Sequence, residues 1–274
     1  MNTLYTFGCS FTNYCWPTWA NIVAYDLNMT LKNYGQVGMG NFGIANRILE
    51  VNERIGVDED DKLLVLWSSW DREDRLKQNQ WRGEGSVFSN DEIYGRKWIR
   101  NFYDDSDKIM KNVFWIHSVN KLYGKNINWQ GSGFDYYRND TFFEETPAGL
   151  DQDARKLIKI YGHLMPKVFH WVNAEDSPSF GYFRDKHPDI KRHMALVEDH
   201  IYPKLGKKLR KETRQLFNEV SYSFETNKKF FKPRDDESTA SEEHLKKYFP
   251  EVWNQMDRSC NELADGTKIS EIIY

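Results

Sequence analysis

The first residue whose position suggests chemistry is Ser10. It follows Thr3-Leu4-Tyr5-Thr6-Phe7, a β-branched and aromatic run that ends at Gly8 and predicts a short buried strand. In an open α/β sheet, Ser10 would then lie at the carboxyl end of that strand, where such sheets bind ligands. A serine at this place can attack a carbonyl, and its own backbone N–H can stabilise the developing oxyanion. Alone, it is equally consistent with a turn serine that satisfies backbone groups.

A second group of residues near position 190 changes that balance. Asp185-Lys186-His187-Pro188 places an aspartate two residues before a histidine, and Pro188 suits the first position of a following helix. The aspartate can orient the imidazole, which can then act as general base toward a serine hydroxyl. An Asp–His pair before a helix is common on protein surfaces. Its combination with Ser10, in the order Ser…Asp…His, favours a catalytic interpretation.

The elements that would position these residues alternate along the first 70 residues. After the first strand, the pattern predicts a helix opened by Pro17, a second strand, a second helix and a buried third strand, at 16–27, 29–34, 44–49 and 62–67. This alternation is typical of a parallel sheet covered by helices on both faces. We therefore predict a three-layer α/β/α fold with a mostly parallel, flavodoxin-like central sheet.

The rest of the chain gives weaker patterns. They predict a loop at 71–95, a helix at 96–122 broken near 104–107, a short strand at 126–129, a helix at 151–170 and a last helix at 188–205. The charged segment that follows predicts a helical C-terminal extension. The expected organisation is thus a domain of residues 1–205 and an extension of residues 206–274.

Composition excludes several classes of protein. The 274 residues include 38 basic and 41 acidic ones, and this net charge of −3 argues against a dedicated nucleic-acid binder. Mean hydropathy is −0.77, and no apolar run approaches the roughly 20 residues that span a bilayer. Three cysteines are too few and too scattered for a disulfide framework or a four-ligand zinc site. With no secretory signal recognised, we expect a soluble cytoplasmic protein that binds neither nucleic acid nor membrane.

Three short motifs, in the correct order, resemble the SGNH (GDSL-type) hydrolase superfamily of esterases and lipases. They are Gly8-Cys9-Ser10-Phe11-Thr12, Asn33-Tyr34-Gly35-Gln36-Val37-Gly38, and Asp185-Lys186-His187-Pro188 with His193. The resemblance covers about residues 3–205. It implies that Ser10, His187 and Asp185 form a catalytic triad, and that Gly38 contributes to the oxyanion hole.

The third motif of the family differs in this chain. Members carry Gly-x-Asn-Asp after the central strand, with the asparagine as an oxyanion donor, whereas this chain has Ser68-Ser69-Trp70-Asp71. Ser69 and Trp70 are therefore the candidates for the missing donor. Uncharacterised SGNH-like proteins of phage and marine microbes look similar in this respect.

The resemblance implies a function but not a specific substrate. It points to a serine ester hydrolase that works through an acyl-enzyme and needs no metal or organic cofactor. The bulk of Trp70 would narrow the site, so we expect it to favour small acyl groups of a small molecule or an acylated glycan. Two alternatives remain open. One is a catalytically weakened SGNH-like module that binds glycans, and the other is an O-acyltransferase that uses the same serine.

Two other interpretations of these motifs compete with the catalytic one. Gly38-Met39-Gly40-Asn41-Phe42-Gly43 has the form of a dinucleotide-binding fingerprint, but that fingerprint belongs on the first strand–helix turn, which Ser10 occupies. Cys9 is also a possible nucleophile. In an extended strand end, however, neighbours point in opposite directions, so only one of Cys9 and Ser10 can face a pocket, and we favour Ser10.

Overall fold

The computed structural model describes residues 2–77, 80–88, 93–132, 152–166, 187–227 and 237–256. Six strands are present in these ranges: β1 Thr3–Phe7, β2 Thr30–Asn33, β3 Lys62–Trp67, β4 Arg72–Lys77, β5 Gln80–Ser86 and β6 Ile127–Ser132. The α-helices are α1 Trp19–Leu27, α2 Asn41–Glu50, α3 Arg96–Phe102, α4 Asp105–Tyr123, α5 Gln152–Tyr161, α6 Ile190–Leu196, α7 Tyr202–Leu205, α8 Lys211–Thr226, α9 Glu237–Tyr248 and α10 Pro250–Trp253. Turns of π-helix follow α2 at Val51–Ile55 and α6 at Val197–Ile201, and a 3₁₀ turn follows α5 at Gly162–Leu164.

Within the described ranges, the central sheet has four parallel strands in the order β2-β1-β3-β6. This is the start of the flavodoxin-like order, in which the second strand lies outside the first and the third lies on the other side. All four strands run in one direction, so their carboxyl ends meet at one edge. The predicted parallel α/β sheet is confirmed.

Both faces of the sheet are buried, which makes three layers. Along β3, Leu64 and Leu66 pack into a cluster with α1, α6 and α8, whereas Val65 and Trp67 pack into a second cluster with α2 and α4. Because successive side chains of a strand point to opposite faces, an unbroken apolar strand supplies both clusters at once. This explains why residues 62–67 were the clearest strand in the sequence.

The first helix begins later than the proline suggested. The side-chain oxygen of Asn21 accepts a hydrogen bond from the backbone N–H of Thr18 at 2.8 Å, so the helix begins at Trp19 and Pro17 lies before it. The break predicted near 104–107 falls slightly earlier, because Asp104 caps α4 through its bond from the Asp107 N–H.

The prediction of a loop at 71–95 was wrong for its first half, where β4 and β5 pair as an antiparallel hairpin. The sequence Arg-Glu-Asp-Arg-Leu-Lys of β4 has no apolar alternation, so no local pattern indicated a strand. Hydrogen bonds from the Gly40 and Gly43 amides to Asp74 hold this hairpin in place.

The described C-terminal part is helical, as expected. Phe217, Val220 and Phe224 of α8 belong to the same apolar cluster as the sheet residues Leu4 and Leu64. Helix α8 therefore packs directly on the first helical layer, while the boundary at residues 205 and 206 stays a prediction. No helix within the described ranges is both long and apolar enough to cross a membrane.

Candidate active site

Three turns meet at the carboxyl edge of the sheet, because they follow β1, β2 and β3. We call them the Ser10 turn (residues 8–13), the Gly38 turn (residues 34–40) and the Ser68 turn (residues 68–71). Each contains candidate residues from the sequence: Ser10, Gly38, and Ser69 with Trp70. This is the edge at which open α/β sheets bind their ligands.

The Ser10 turn is tightly closed. The backbone N–H groups of Thr12 and Asn13 both donate to the carbonyl oxygen of Cys9, at 2.9 and 3.2 Å. A side chain at Gly8 would overlap the Thr12 hydroxyl, so only glycine allows this approach. Ser10 is 3% exposed, so the surrounding chain covers almost all of this residue.

Cys9 lies in a different environment from Ser10. Its side chain is fully buried in the apolar cluster that includes Leu4 and Trp16. A thiol packed among core side chains is a structural residue in most proteins. This position supports the choice of Ser10 over Cys9 as the candidate nucleophile.

The Gly38 turn packs directly on the Ser10 turn. The Gln36 N–H donates to the Gly8 carbonyl at 3.1 Å, and the Asn13 side-chain amide donates to the Gly35 carbonyl at 3.1 Å. Gly38 has a φ of +77°, in the left-handed region that favours glycine. The two turns that the family resemblance assigns to the nucleophile and the oxyanion donor are therefore neighbours.

His187 lies against the Ser10 turn. Its imidazole stacks on the Tyr14 ring with centroids 3.9 Å apart and an interplanar angle of 18°, and it meets the Phe11 ring edge-on at 5.5 Å. The indole N–H of Trp16 donates to the Pro188 carbonyl at 2.9 Å, across 172 residues of sequence. These contacts bring His187 beside the segment that carries Ser10. Asp185 lies outside the described residues.

His193 differs from His187 in its surroundings. It is 1% exposed and lies in α6. Burial, with smaller effects from His187 and the Arg192 guanidinium, lowers the pKa of His193 to about 3. A buried imidazole that stays neutral at physiological pH is a structural neighbour of the candidate base.

The Ser68 turn is joined to the start of α2. The side chain of Asn41 accepts from the Ser68 N–H at 2.7 Å and donates to the Ser68 carbonyl at 3.0 Å. The Ser69 hydroxyl donates to the Asp71 carboxylate. The half-buried Trp70 ring packs against the apolar cluster of α4 and α5, with its centroid 6.3 Å from that of Tyr103.

The amino end of α2 is occupied by a carboxylate from the chain itself. Asp74 accepts from the Gly40 N–H at 2.6 Å and from the Gly43 N–H at 2.8 Å. In a dinucleotide fold, the glycine-rich turn and helix N-terminus hold the pyrophosphate. Asp74 fills the anion position here, which counts against the dinucleotide interpretation of residues 38–43.

Burial raises the pKa of Asp74 to about 6, and the hydrogen bonds from Gly40 and Gly43 and the nearby Arg72 guanidinium oppose that shift. The carboxyl group is thus ionised at neutral pH but becomes protonated in mild acid.

Sequence reasoning missed several residues that build the site. The sequence predicts a loop at Asp74, because its partners Gly40 and Gly43 lie more than 30 residues earlier in the chain. Asn41 was noticed only as part of the glycine motif. Nothing in the sequence indicates that the rings of Tyr14 and Trp16 lie beside His187.

Comparison with known proteins gave structural matches only. No family model and no curated protein matches this chain. A protein described as a lipolytic member of the G-D-S-L family from Desulfitobacterium hafniense DCB-2 is 10% identical, with 82% of this chain and 99% of that chain covered and a TM-score of 0.34. An acetyl xylan esterase from the rumen bacterium Butyrivibrio proteoclasticus is 16% identical, with 75% and 64% covered and a TM-score of 0.35.

A GDSL-like lipase from Bacteroides thetaiotaomicron VPI-5482 is 12% identical, with 80% of this chain and 89% of that chain covered and a TM-score of 0.36. The family that the sequence motifs resemble is thus also named among the structural neighbours. At TM-scores near 0.35, this likeness does not assign an activity to the chain.

Proposed function

We propose that this protein is a serine-dependent ester hydrolase. The observation that carries the proposal is the position of His187, which Tyr14, Phe11 and Trp16 hold against the turn that bears Ser10. His187 contacts Phe11, the residue after Ser10, and a general base must lie close to the hydroxyl that it deprotonates.

In the proposed reaction, the Ser10 hydroxyl attacks the acyl carbonyl carbon while His187 takes its proton. The backbone N–H groups of Ser10 and Gly38 stabilise the oxyanion of the tetrahedral intermediate. His187 then protonates the leaving alcohol as the acyl–oxygen bond breaks, and an acyl-serine remains. Water, deprotonated by His187, hydrolyses that acyl-enzyme, and Asp185 orients the imidazole throughout.

The proposed substrates carry small acyl groups, as in acetylated small molecules or glycans. Ser10 is almost buried, and a bulky indole follows β3 at Trp70, where the related motif has an asparagine. We propose that Trp70 or Ser69 supplies the remaining oxyanion donor and that the indole narrows the acyl site. Both features favour acetyl esters over long acyl chains.

Kinetics on a pair of p-nitrophenyl esters test this function. We expect the wild type to hydrolyse the acetyl ester faster than the octanoyl ester. Ser10→Ala and His187→Ala should each lower kcat/KM at least about 10³-fold, because both are members of one catalytic unit. The wild-type kcat/KM should fall on the acid side of its pH profile, because the proposed base must be neutral to accept the serine proton.

His193→Gln is the matched control, since it removes the neighbouring imidazole and should keep most of the activity. Equal losses in His187→Ala and His193→Gln would contradict the assignment of the base. Absence of hydrolysis in the wild type would favour a glycan-binding module, and faster acyl transfer to an added alcohol than to water would favour an acyltransferase.

A further inference from the structure

The backbone of the β4–β5 hairpin is in direct contact with the backbone of the Gly38 turn. No sequence motif indicates this hairpin. The Gly85 N–H donates to the Gly38 carbonyl at 3.1 Å. A Cβ atom at Gly38 would lie 2.6 Å from the Gly83 carbonyl oxygen, and one at Gly83 would overlap the Met39 amide. Glycine is therefore required on both sides of this contact.

Asp74 of the same hairpin provides its polar anchor. The side chain is buried, with 8% of the residue exposed, and its two oxygens accept from two different amides of the α2 N-terminus. These are the Gly40 N–H at 2.6 Å and the Gly43 N–H at 2.8 Å. A carboxylate at this place satisfies amides that have no partner inside the helix and interacts favourably with the helix dipole.

The chain between these anchors contains the proposed oxyanion donor. Gly38 is fixed at its carbonyl by Gly85, and Gly40, two residues later, is fixed at its amide by Asp74. Only Met39 separates the two anchored glycines. A donor amide is effective when its position is set before the reaction, because reorganisation during the reaction would cost part of the stabilisation. Displacement by about 1 Å can lower the rate by as much as 10²-fold.

We infer that Asp74 is a positioning residue of the active site, which holds the Gly38 amide in the oxyanion-binding position by clamping the Gly40–Gly43 helix start to the β4–β5 hairpin. This inference rests on the proposed function, because it assigns Asp74 a part in that reaction.

The charges around Asp74 fit an ionised clamp. Arg72, two residues earlier on β4, donates to the Met39 carbonyl at 3.3 Å and favours the carboxylate electrostatically. Glu73 opposes it, but Glu73 is paired with Lys108 of α4. Two backbone N–H groups at the start of helix α2 donate to the carboxylate. Protonation of Asp74 would place a hydrogen on one oxygen, so that two donor amides would compete for the acceptors that remain.

The test is the Asp74→Asn variant, which keeps the shape of the side chain but replaces one acceptor oxygen by a donor amide. We expect kcat for the acetyl ester to fall about 10- to 100-fold while KM changes less than about threefold, because the amide acts on the transition state. Amide hydrogen exchange measured for residues 38–44 should become at least about tenfold faster.

Asp104→Asn is the control, since Asp104 caps α4 through one exposed bond and has no part in the site. It should leave kcat and the exchange of residues 38–44 unchanged. Equal kcat in Asp74→Asn and wild type would overturn the positioning role. Faster exchange without a kinetic change would reduce Asp74 to a helix cap. A wild type that neither hydrolyses esters nor reacts with a serine-directed probe would instead refute the proposed function, and the inference with it.

Discussion

The two sides of the candidate site are built from different chemistry. On the His187 side, three aromatic side chains, Phe11, Tyr14 and Trp16, surround the imidazole or hold the residue after it. On the Gly38 side, the side chains of Asn41 and Asp74 bind backbone amides and carbonyls directly. Ring contacts predominate on the His187 side, and hydrogen bonds to the backbone predominate on the Gly38 side.

This difference corresponds to what each side must do in the proposed reaction. The imidazole gains and loses a proton in each half-reaction, and an aromatic face accommodates a neutral ring and attracts a cationic one. The oxyanion amides must keep one position, so bonds that fix the backbone suit them better than ring contacts do. Ring contacts thus hold the His187 imidazole, which changes charge, whereas hydrogen bonds hold the backbone amides, which keep one position.

Within this comparison, the larger effect should come from breaking the hydrogen bond that the Trp16 indole donates on the aromatic side. Trp16→Phe keeps an aromatic ring but removes the N–H that donates to the Pro188 carbonyl at 2.9 Å. We expect kcat/KM for the acetyl ester to fall at least about tenfold, because His187 precedes Pro188 and would lose part of its orientation. Steady-state kinetics on the folded variant measure this.

Trp19→Phe provides the matched control for that substitution. Trp19 is also fully buried, and its indole N–H makes no hydrogen bond within the part of the chain that the structure describes. The activity of Trp19→Phe should stay within about threefold of wild type. Similar losses in the two variants would mean that core packing, and not the bond to Pro188, explains the effect.

A smaller effect distinguishes the two sides by their response to acid. The pKa of His193 beside His187 is lowered from 6.5 to about 3, so the unfolded state binds more protons than the folded state between these values. Its contribution to stability is complete above pH 6.5 and is lost as the pH falls. The linkage between protonation and folding therefore lowers the free energy of unfolding by about 2 kcal/mol from pH 7 to pH 5.

Asp74, on the Gly38 side, changes the free energy of unfolding with pH in the opposite direction. Its pKa is raised from 3.8 to about 6, so the folded state binds more protons, and the contribution to stability is complete below pH 3.8 and lost as the pH rises through 6. The same linkage gives a gain of about 1 kcal/mol from pH 7 to pH 5. In the wild type the two effects largely cancel.

Urea unfolding at pH 7 and pH 5 separates them. The measured quantity is the change in the free energy of unfolding from pH 7 to pH 5. Relative to wild type, this change should be about 2 kcal/mol more positive in His193→Gln and about 1 kcal/mol more negative in Asp74→Asn. Shifts of the same sign in both variants would contradict the opposite protonation of the two sides.

The sequence could predict the sheet because its central strands are continuous apolar runs bounded by glycine or charged turns. Residues 62–67 form β3 with the predicted bounds, and the helices on both faces follow from the 3.6-residue apolar period. The hairpin at 72–86 could not be predicted, since it depends on long-range bonds of Asp74 to Gly40 and Gly43 rather than on a local pattern.

The candidate site also contains residues that the sequence could predict and residues that it could not. The order of the motifs predicts Ser10, Gly38 and His187 as site residues. All three lie on or against turns at one edge of the sheet. The supporting residues escaped notice because their partners are far away in sequence. The contact of Trp16 with Pro188 spans 172 residues, and no spacing rule reaches that far.

The most direct test of the account is covalent labelling with a fluorophosphonate probe, followed by peptide mass spectrometry. We expect one adduct on Ser10 in the wild type and in Cys9→Ala, a much slower adduct in His187→Ala, and none in Ser10→Ala. Labelling that survives in Ser10→Ala and disappears in Cys9→Ala would contradict the assignment of the nucleophile. A wild type that remains unlabelled while folded would contradict the proposed hydrolase itself.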